Sequence, residues 1–165
     1  MKIGLLSDTH SYLDDRILHH LSTCDEIWHA GDFGSIEVSD TLASLKPLRG
    51  VYGNIDDQTI RLVHPKVNRF QAEGLDVLMT HIGGYPGKYH PDIRNEIQQN
   101  PPGIFITGHS HILKVMPDKK LNLLHLNPGA AGKHGFHTMR TLMLFEINKG
   151  KIEKLQVVEL GKRAG

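Results

Sequence analysis

Along the first fifty residues, short apolar runs alternate with helical stripes. Lys2–Ser7 is a brief, nearly continuous apolar run of the kind buried strands show. Leu13, Ile17, Leu18 and Leu21 then fall on one helical face, with Asp14 and Asp15 in the first turn where the helix dipole favours acids. Glu26–Ala30 predicts a second strand. Ser35 is placed to cap a helix through about Leu45, with Val38, Leu42 and Leu45 as its stripe and Pro47 as its stop. Leu48–Tyr52 predicts a third strand. After that the rhythm changes. Lys66–Ala72, Glu73-Gly74 and Leu75–Thr80 read as a hairpin. Pro91 opens a helix to about Gln99, ended by Asn100-Pro101-Pro102-Gly103, and Ile104–Thr107 is a buried strand. Ile112–Met116 and Leu121–Leu126 flank a turn at Pro117-Asp118-Lys119-Lys120. Thr141–Ile147 and Lys151–Leu160 flank another at Asn148-Lys149-Gly150. Strand–helix alternation followed by mostly strand predicts an α/β protein with more than one sheet and helices outside.

At 165 residues the chain is expected to form one domain, 1–165, with a core large enough to need no cross-links. Its 19 basic and 18 acidic residues nearly balance, which excludes binding nucleic acid by bulk charge. The single Cys24 excludes an intramolecular disulfide and a cysteine zinc finger. No apolar run approaches the ~20 residues of a membrane span. The opening run Met1–Leu6 is too short for a signal peptide core, so a cytoplasmic protein is expected. The chain is rich in two residue types, with 12 His and 17 Gly, and their positions give the counts meaning.

Five polar clusters each follow directly on a predicted strand: Asp8 and His10, Gly31-Asp32, Gly53-Asn54, His81, and Gly108-His109-Ser110-His111. Ligands of α/β sheets bind beyond the carboxyl ends of the strands, so five strands deliver these side chains to one edge. Singly, each has a plain structural role. Asp8 can cap a helix, Asp32 and Asn54 suit turns, and His81 suits a strand end. Together, two Asp, one Asn and four His form a mixed oxygen and nitrogen set suited to Mn, Fe, Zn, Co or Ni. Seven ligands exceed one tetrahedral site and suit two metals sharing a bridging carboxylate.

These motifs, in this order and across about residues 2–131, resemble the calcineurin-like metallophosphoesterases, whose series is D-x-H, G-D, G-N, H and G-H-x-H. The short length resembles their minimal bacterial and archaeal phosphodiesterase subgroup. Asn127-Pro128-Gly129 is similar to that subgroup's N-P-G turn, with Ala130 where Ser is usual. The resemblance implies a two-sheet β-sandwich flanked by outer helices, a four-layer α/β–β/α fold. It implies that Asp8, His10 and His111 hold one metal, that Asn54, His81 and His109 hold a second, and that Asp32 bridges them. It further implies phosphoester hydrolysis, of diesters above all, by a hydroxide held between two divalent ions. Mn is favoured, with Ni, Fe, Zn, Co or Mg as alternatives. Asp32, Asn54 and His81 would then carry catalysis. Many larger members have His after G-N, as a proton donor. Here Ile55 stands there, followed by Asp56.

Around this set, His29 is a candidate to orient ligands, and Asp56 or another His to protonate a leaving group. Lys133 and His134, in the Gly-rich stretch Gly132–His137, are candidates to meet substrate from a loop. The stretch reads equally as a mobile connection, and Arg140, just beyond it, shares both readings. His19, His20, His64 and His90 are expected to be solvated, Cys24 inert, and Trp28 and Phe33 in the core. Expected partners are a small phosphodiester or phosphomonoester and further copies of the chain as a dimer or tetramer, with no membrane. The alternative is a non-catalytic, metal-binding interaction scaffold, as one subunit of the retromer coat resembles this family.

Overall fold

The computed structural model describes residues 1–164. In chain order the first half contains β1 (Lys2–Leu6), α1 (Asp15–Ser22), β2 (Glu26–His29), α2 (Ile36–Leu45), β3 (Leu48–Gly50), α3 (Gln58–Val63), β4 (Val67–Ala72) and β5 (Leu75–Thr80). The second half contains β6 (Gly84–Tyr85), β7 (Lys88–Tyr89), α4 (Pro91–Gln99), β8 (Ile104–Ile106), β9 (Lys114–Asp118), β10 (Leu123–Asn127), β11 (Met139–Asn148) and β12 (Lys151–Lys162). One five-stranded sheet runs β12-β11-β1-β2-β3, the other β4-β5-β8-β10-β9, and β6–β7 form a small ribbon.

Side-chain alternation along the strands decides the layering. Ile3 and Leu5 of β1, and Met143, Phe145 and Ile147 of β11, face the second sheet, where they meet Val77, Met79, Ile104, Ile106 and Leu126. The intervening Leu6, Leu142 and Leu144 face outward and are covered by Ile17 and Leu21 of α1, Val38 and Leu42 of α2, and Ile60 of α3. On the far side, Leu78, Phe105 and Leu123 are covered by Ile93 and Ile97 of α4. The result is a mixed α/β architecture of four layers: helices, sheet, sheet, helix.

Local chemistry explains the ends. The Asp14 carboxylate caps α1 by accepting from the Ile17 N–H at 2.9 Å, a contact of the kind that contributes about 1 kcal/mol. Glu73 and Gly74, at φ 47° and 83°, turn β4 into β5 in the left-handed geometry that two-residue hairpins need.

Two expectations need correction. The turn placed at Pro117–Lys120 lies further on, because Pro117 and Asp118 belong to β9. That strand is at the sheet's edge, where a missing N–H breaks no ladder. His64 is not solvated: it is 6% exposed, bonded to Ser39 Oγ at 2.8 Å and stacked on Phe33. Helix α3 and the β6–β7 ribbon were not anticipated, since six residues and two pairs of residues are too short to carry a periodicity. No helix among the described residues is long and apolar enough to cross a membrane.

Candidate metal centre

The polar clusters sit where the chain leaves β1, β2, β3, β5 and β8, and backbone bonds lace these exits together. Asp8 N–H donates to Gly31 O at 3.0 Å, His10 N–H to Asp32 O at 3.1 Å, and Gly108 N–H to His81 O at 3.0 Å. Asp56 ties the second and third exits. Its buried carboxylate accepts from the N–H groups of Gly53 (2.8 Å), Gly34 (2.9 Å) and Phe33 (3.2 Å).

Backbone conformation marks the same places. Asp8, His10, Asp32, His109 and His111 all have φ between 45° and 71°, the left-handed region that side chains with a Cβ avoid. Such strain persists where surrounding bonds over-determine it and concentrates at functional sites. Two motif glycines have a steric reason. A Cβ on Gly31 (φ 102°) would lie 2.5 Å from His81 Nδ1, and one on Gly53 would run into the Asp32 carboxylate.

The side chains converge as two triads. Asp8, His10 and His111 each offer a ligand atom within 4.8 Å of the others, and so do Asp32, His81 and His109. The triads adjoin through Asp32. Its Oδ2 lies 3.4 Å from His10 Nε2 and 3.2 Å from His81 Nε2. Asp8 Oδ1 lies 3.2 Å from His111 Nε2 and 3.8 Å from His81 Nε2. These approaches are close but not aligned for hydrogen bonds. Asp8 Oδ1, His10 Nε2 and His81 Nε2 are buried with no hydrogen-bond partner. Buried polar atoms are normally paired, so three orphans aimed at one space call for cations there. The donor set fits divalent ions. Asn54, exposed on the rim, brings its Oδ1 to 3.1 Å from His109 Nδ1.

The opposite edges of the rings are fixed. His81 Nδ1 lies 2.7 Å from Ala30 O, and a carbonyl only accepts. In the neutral ring Nδ1 therefore carries the proton and Nε2 is the nitrogen that offers a lone pair inward. His111 is set through a relay. His137 Nε2 donates to Gly132 O at 2.8 Å, so its Nδ1 is an acceptor for His111 Nδ1–H at 3.3 Å, freeing His111 Nε2 to face Asp8. No sequence pattern reveals this role of His137, which depends on where Gly132 O lies. A carbonyl or acceptor behind a ligating ring sets its tautomer. Charge follows the same geometry. Burial would raise the Asp32 carboxyl, but the rings of His10 and His81 outweigh it and hold it well below the usual range. Burial would lower His81, but the carboxylates of Asp32 and Asp8 outweigh it and hold the ring above its ordinary value. Burial, then the neighbouring His81, lowers His109.

The surrounding candidates divide. His29 is fully buried and holds two exits: its Nδ1 accepts from Gly31 N–H at 3.1 Å, and Nε2 meets Thr9 Oγ1 at 3.1 Å. His134 stacks on His10 at 4.6 Å and lines the cleft over the triads, with Ile55 and the fully exposed Phe136. Two candidates are elsewhere engaged. Asp56 is committed to three backbone N–H groups and has no free role at a leaving group. The Lys133 ammonium lies over the Tyr12 ring at 4.8 Å and does not line the cleft. Arg140 is buried, bonded to Ala131 O at 2.8 Å and Asp14 at 3.0 Å, and braces the fold.

Comparison with known proteins agrees with this arrangement. A sequence profile described as the calcineurin-like phosphoesterase superfamily domain matches residues 1–150. A probable metallophosphoesterase of Methanothermobacter thermautotrophicus is 28% identical over 137 residues, 79% of this chain and 77% of that protein. Among solved structures, an archaeal phosphodiesterase superposes with a TM-score of 0.78 at 21% identity, covering 97% of this chain and 100% of that one. Vps29 of Entamoeba histolytica, solved with Zn2+, superposes with a TM-score of 0.73 at 20% identity, covering 96% and 99%.

Proposed function

The chain belongs to the calcineurin-like phosphoesterase superfamily, and from that membership we propose that it is a phosphodiesterase working through two divalent ions. The family makes it a metal-dependent phosphoesterase, and the two triads suit two ions. The observation that carries the binuclear reading is the set of three buried, unpartnered atoms, Asp8 Oδ1, His10 Nε2 and His81 Nε2. Asp8, His10 and His111 would hold one ion. His81, His109 and Asn54 would hold the other, and Asp32, beside both His10 and His81, would bridge. The mixed oxygen and nitrogen donors suit Mn, Fe, Zn, Co or Ni, and Mn is taken first on the family resemblance and not on the donors. We take residues 1–165 as one such domain, working in the cytoplasm.

When bound, the ions would activate water and neutralise charge on the phosphoryl oxygens. The protein's own groups set the rest. Asp8 and Asp32 supply two fixed negative charges, and Asp8 is oriented by Ser7 Oγ–H at 2.7 Å and His109 N–H at 3.1 Å on its other oxygen. Ala30 O and His137 select the tautomers of His81 and His111 in which, in the neutral rings, Nε2 is the nitrogen offered to an ion. The cleft, about 470 Å³, opens above the triads and admits a small ester. Ile55 follows Asn54 and Asp56 is engaged, so of the proton-donor candidates only His134, on the cleft wall against His10, is left to meet a departing alkoxide. Diesters whose leaving group departs as a stable anion, such as aryl esters, are the favoured substrates.

The second reading is a metal-binding scaffold, because Vps29 shares the fold. The presence of all seven candidate ligand residues favours the enzyme. The deciding experiment is metal analysis of the purified protein together with hydrolysis of aryl phosphomonoesters and diesters with Mn, Ni, Mg and Zn. Two ions per chain and chelator-sensitive diester hydrolysis are expected. Metal bound without turnover of any ester would establish the scaffold.

A further inference from the structure

A second cavity, about 330 Å³, lies between the β6–β7 ribbon and strands β8 and β10. Its residues His109, Ser110 and Ile112 also line the cleft above the triads, so the two spaces share a wall. Its size falls at the small end of ligand pockets, which run from ~300 Å³ upward. It is preformed. His90 N–H donates to Gly83 O at 2.9 Å, and the Tyr89 hydroxyl donates to Asp118 at 2.7 Å, anchoring the ribbon to β9. A Cβ on Gly83 would lie 2.5 Å from the Phe105 ring, so the ribbon packs against β8 at backbone distance.

Two features of the cavity point to an occupant. The first is His125, 1% exposed on the cavity wall. Its Nδ1 lies 3.1 Å from Phe105 O, so Nδ1 carries the ring proton and Nε2 is an acceptor. Nε2 has no hydrogen-bond partner among the described residues. It is not sealed off but opens onto the cavity, where a ligand donor can take the place that water would hold on it. Burial lowers His125 to about 4, so the ring stays neutral and accepting through the physiological range. The second is Tyr85, 40% exposed, whose face lies in the cavity wall beneath the Lys114 ammonium at 3.8 Å. The flexible lysine stem can yield that face to a flat ring.

We propose that this cavity is the subsite for one ester group of the substrate, and that the group is a planar ring bearing an N–H or O–H donor for His125 Nε2, stacked on Tyr85. Nucleobases and phenols share that chemistry. The link to turnover rests on the proposed phosphodiesterase reading, but binding of the ring does not. The test therefore begins on chelator-treated protein, without metal or ester. NMR titration uses two matched pairs: 9-methyladenine against 9-methylpurine, and phenol against anisole. The member carrying the donor should bind about fivefold more tightly in at least one pair, shifting the His125 and Gly84 resonances. The responding pair identifies the source. Tyr85→Ala, at an exposed position, should weaken binding about tenfold. His125→Phe should abolish discrimination within the pair. If that variant does not fold, the ligand pairs and Tyr85→Ala decide alone. Equal binding within both pairs, or shifts confined to the triads, would overturn the subsite. With Mn present, Tyr85→Ala should raise KM for a ring-bearing diester and leave kcat unchanged. Ring binding without any ester hydrolysis would instead refute the enzyme reading while leaving the subsite intact.

Discussion

The two sheets contribute unlike halves to the centre. The first sheet's exits supply the oxygens, Asp8, Asp32 and Asn54, with one imidazole, His10. The second sheet's exits supply only imidazoles, His81, His109 and His111. The carboxylates are buried and held from several sides. Asp8 accepts from Ser7 and His109, and Asp32 from Ile55 N–H at 3.2 Å. The imidazoles range from buried His81 to exposed His109. The difference teaches where charge can be removed. A buried carboxylate that loses its neighbours is an uncompensated charge, whereas a rim imidazole can be neutral, reoriented or solvated.

The sharpest break of this comparison is one substitution in each half. Asp32→Asn keeps the shape and removes the charge shared by the two triads. We expect loss of the second ion and at least ~1,000-fold lower activity, of the order found when a preorganised electrostatic group is removed. His109→Ala, on the exposed rim, should cost less in both metal content and kcat. Elemental analysis and aryl diester kinetics on both variants check this. Equal losses would erase the distinction between the halves.

A smaller effect is expected at His137, which touches no candidate ligand atom but holds the far edge of His111. His137→Phe should weaken metal binding about 10–100-fold, the usual cost of losing the partner behind a ligating ring. His137→Gln, which retains an acceptor, should recover part of it. Titration with Mn at fixed pH separates the two. Equal affinities for Phe and Gln would make His137 a packing residue only.

How far the sequence reaches follows the same division between halves and their supports. Asp8, Asp32, His81, His109 and His111 were legible because each ends an apolar run, and a run short enough to be a buried strand fixes where its exit lies. The pattern reaches as far as an α/β protein with more than one sheet and helices outside, and the four-layer sandwich is what the family resemblance adds. The nearly unbroken apolar runs Leu142–Ile147 and Leu75–Thr80 are covered on both faces, as such runs require. The supports were not legible. The roles of His137, His125 and Asp56 depend on which backbone group lies behind them, and those partners are up to 23 residues distant in sequence. Left-handed φ at five candidate ligands left no trace either, because nothing but tertiary contacts holds Asp and His there. Pro117 misled because a proline looks like a turn until the strand is known to be an edge.

Acidity sharpens the contrast between carboxylate and imidazole. In metal-free protein, His81 is raised above its ordinary 6.5, so its charged form adds stability that is complete below that value. This contribution is lost as pH rises through the elevated folded value. Asp32 is depressed, so its contribution is present above about 3.8 and lost as pH falls toward its low folded value. From these two groups, metal-free protein is best stabilised between those limits and weakens on the alkaline side. A metal must displace the His81 proton, so affinity should fall up to about tenfold per pH unit below the raised value. Melting curves should show the gap between Mn-loaded and metal-free protein widening from pH 6 to about pH 8. A gap that is constant or narrows would remove His81 from the metal's coordination.

The smallest effect expected concerns the backbone itself. His111 sits at φ 61°, where a residue with a Cβ is strained and glycine is not. In metal-free protein its ring also bonds His137 and stands 3.2 Å from Asp8. His111→Gly relieves the backbone but gives up that bond and the neighbour of Asp8, and glycine adds chain entropy to the unfolded state. The relief should offset these losses, leaving metal-free stability within about 0.5 kcal/mol of the parent, with metal binding at that triad lost. The same exchange at His19, an ordinary position in α1, should instead cost about 0.5–1 kcal/mol. Chemical denaturation of both variants under chelation measures the difference. If His111→Gly destabilises as much as His19→Gly, the left-handed ligand positions carry no strain. If it costs less, part of the fold's stability is held in reserve against the binding of metal.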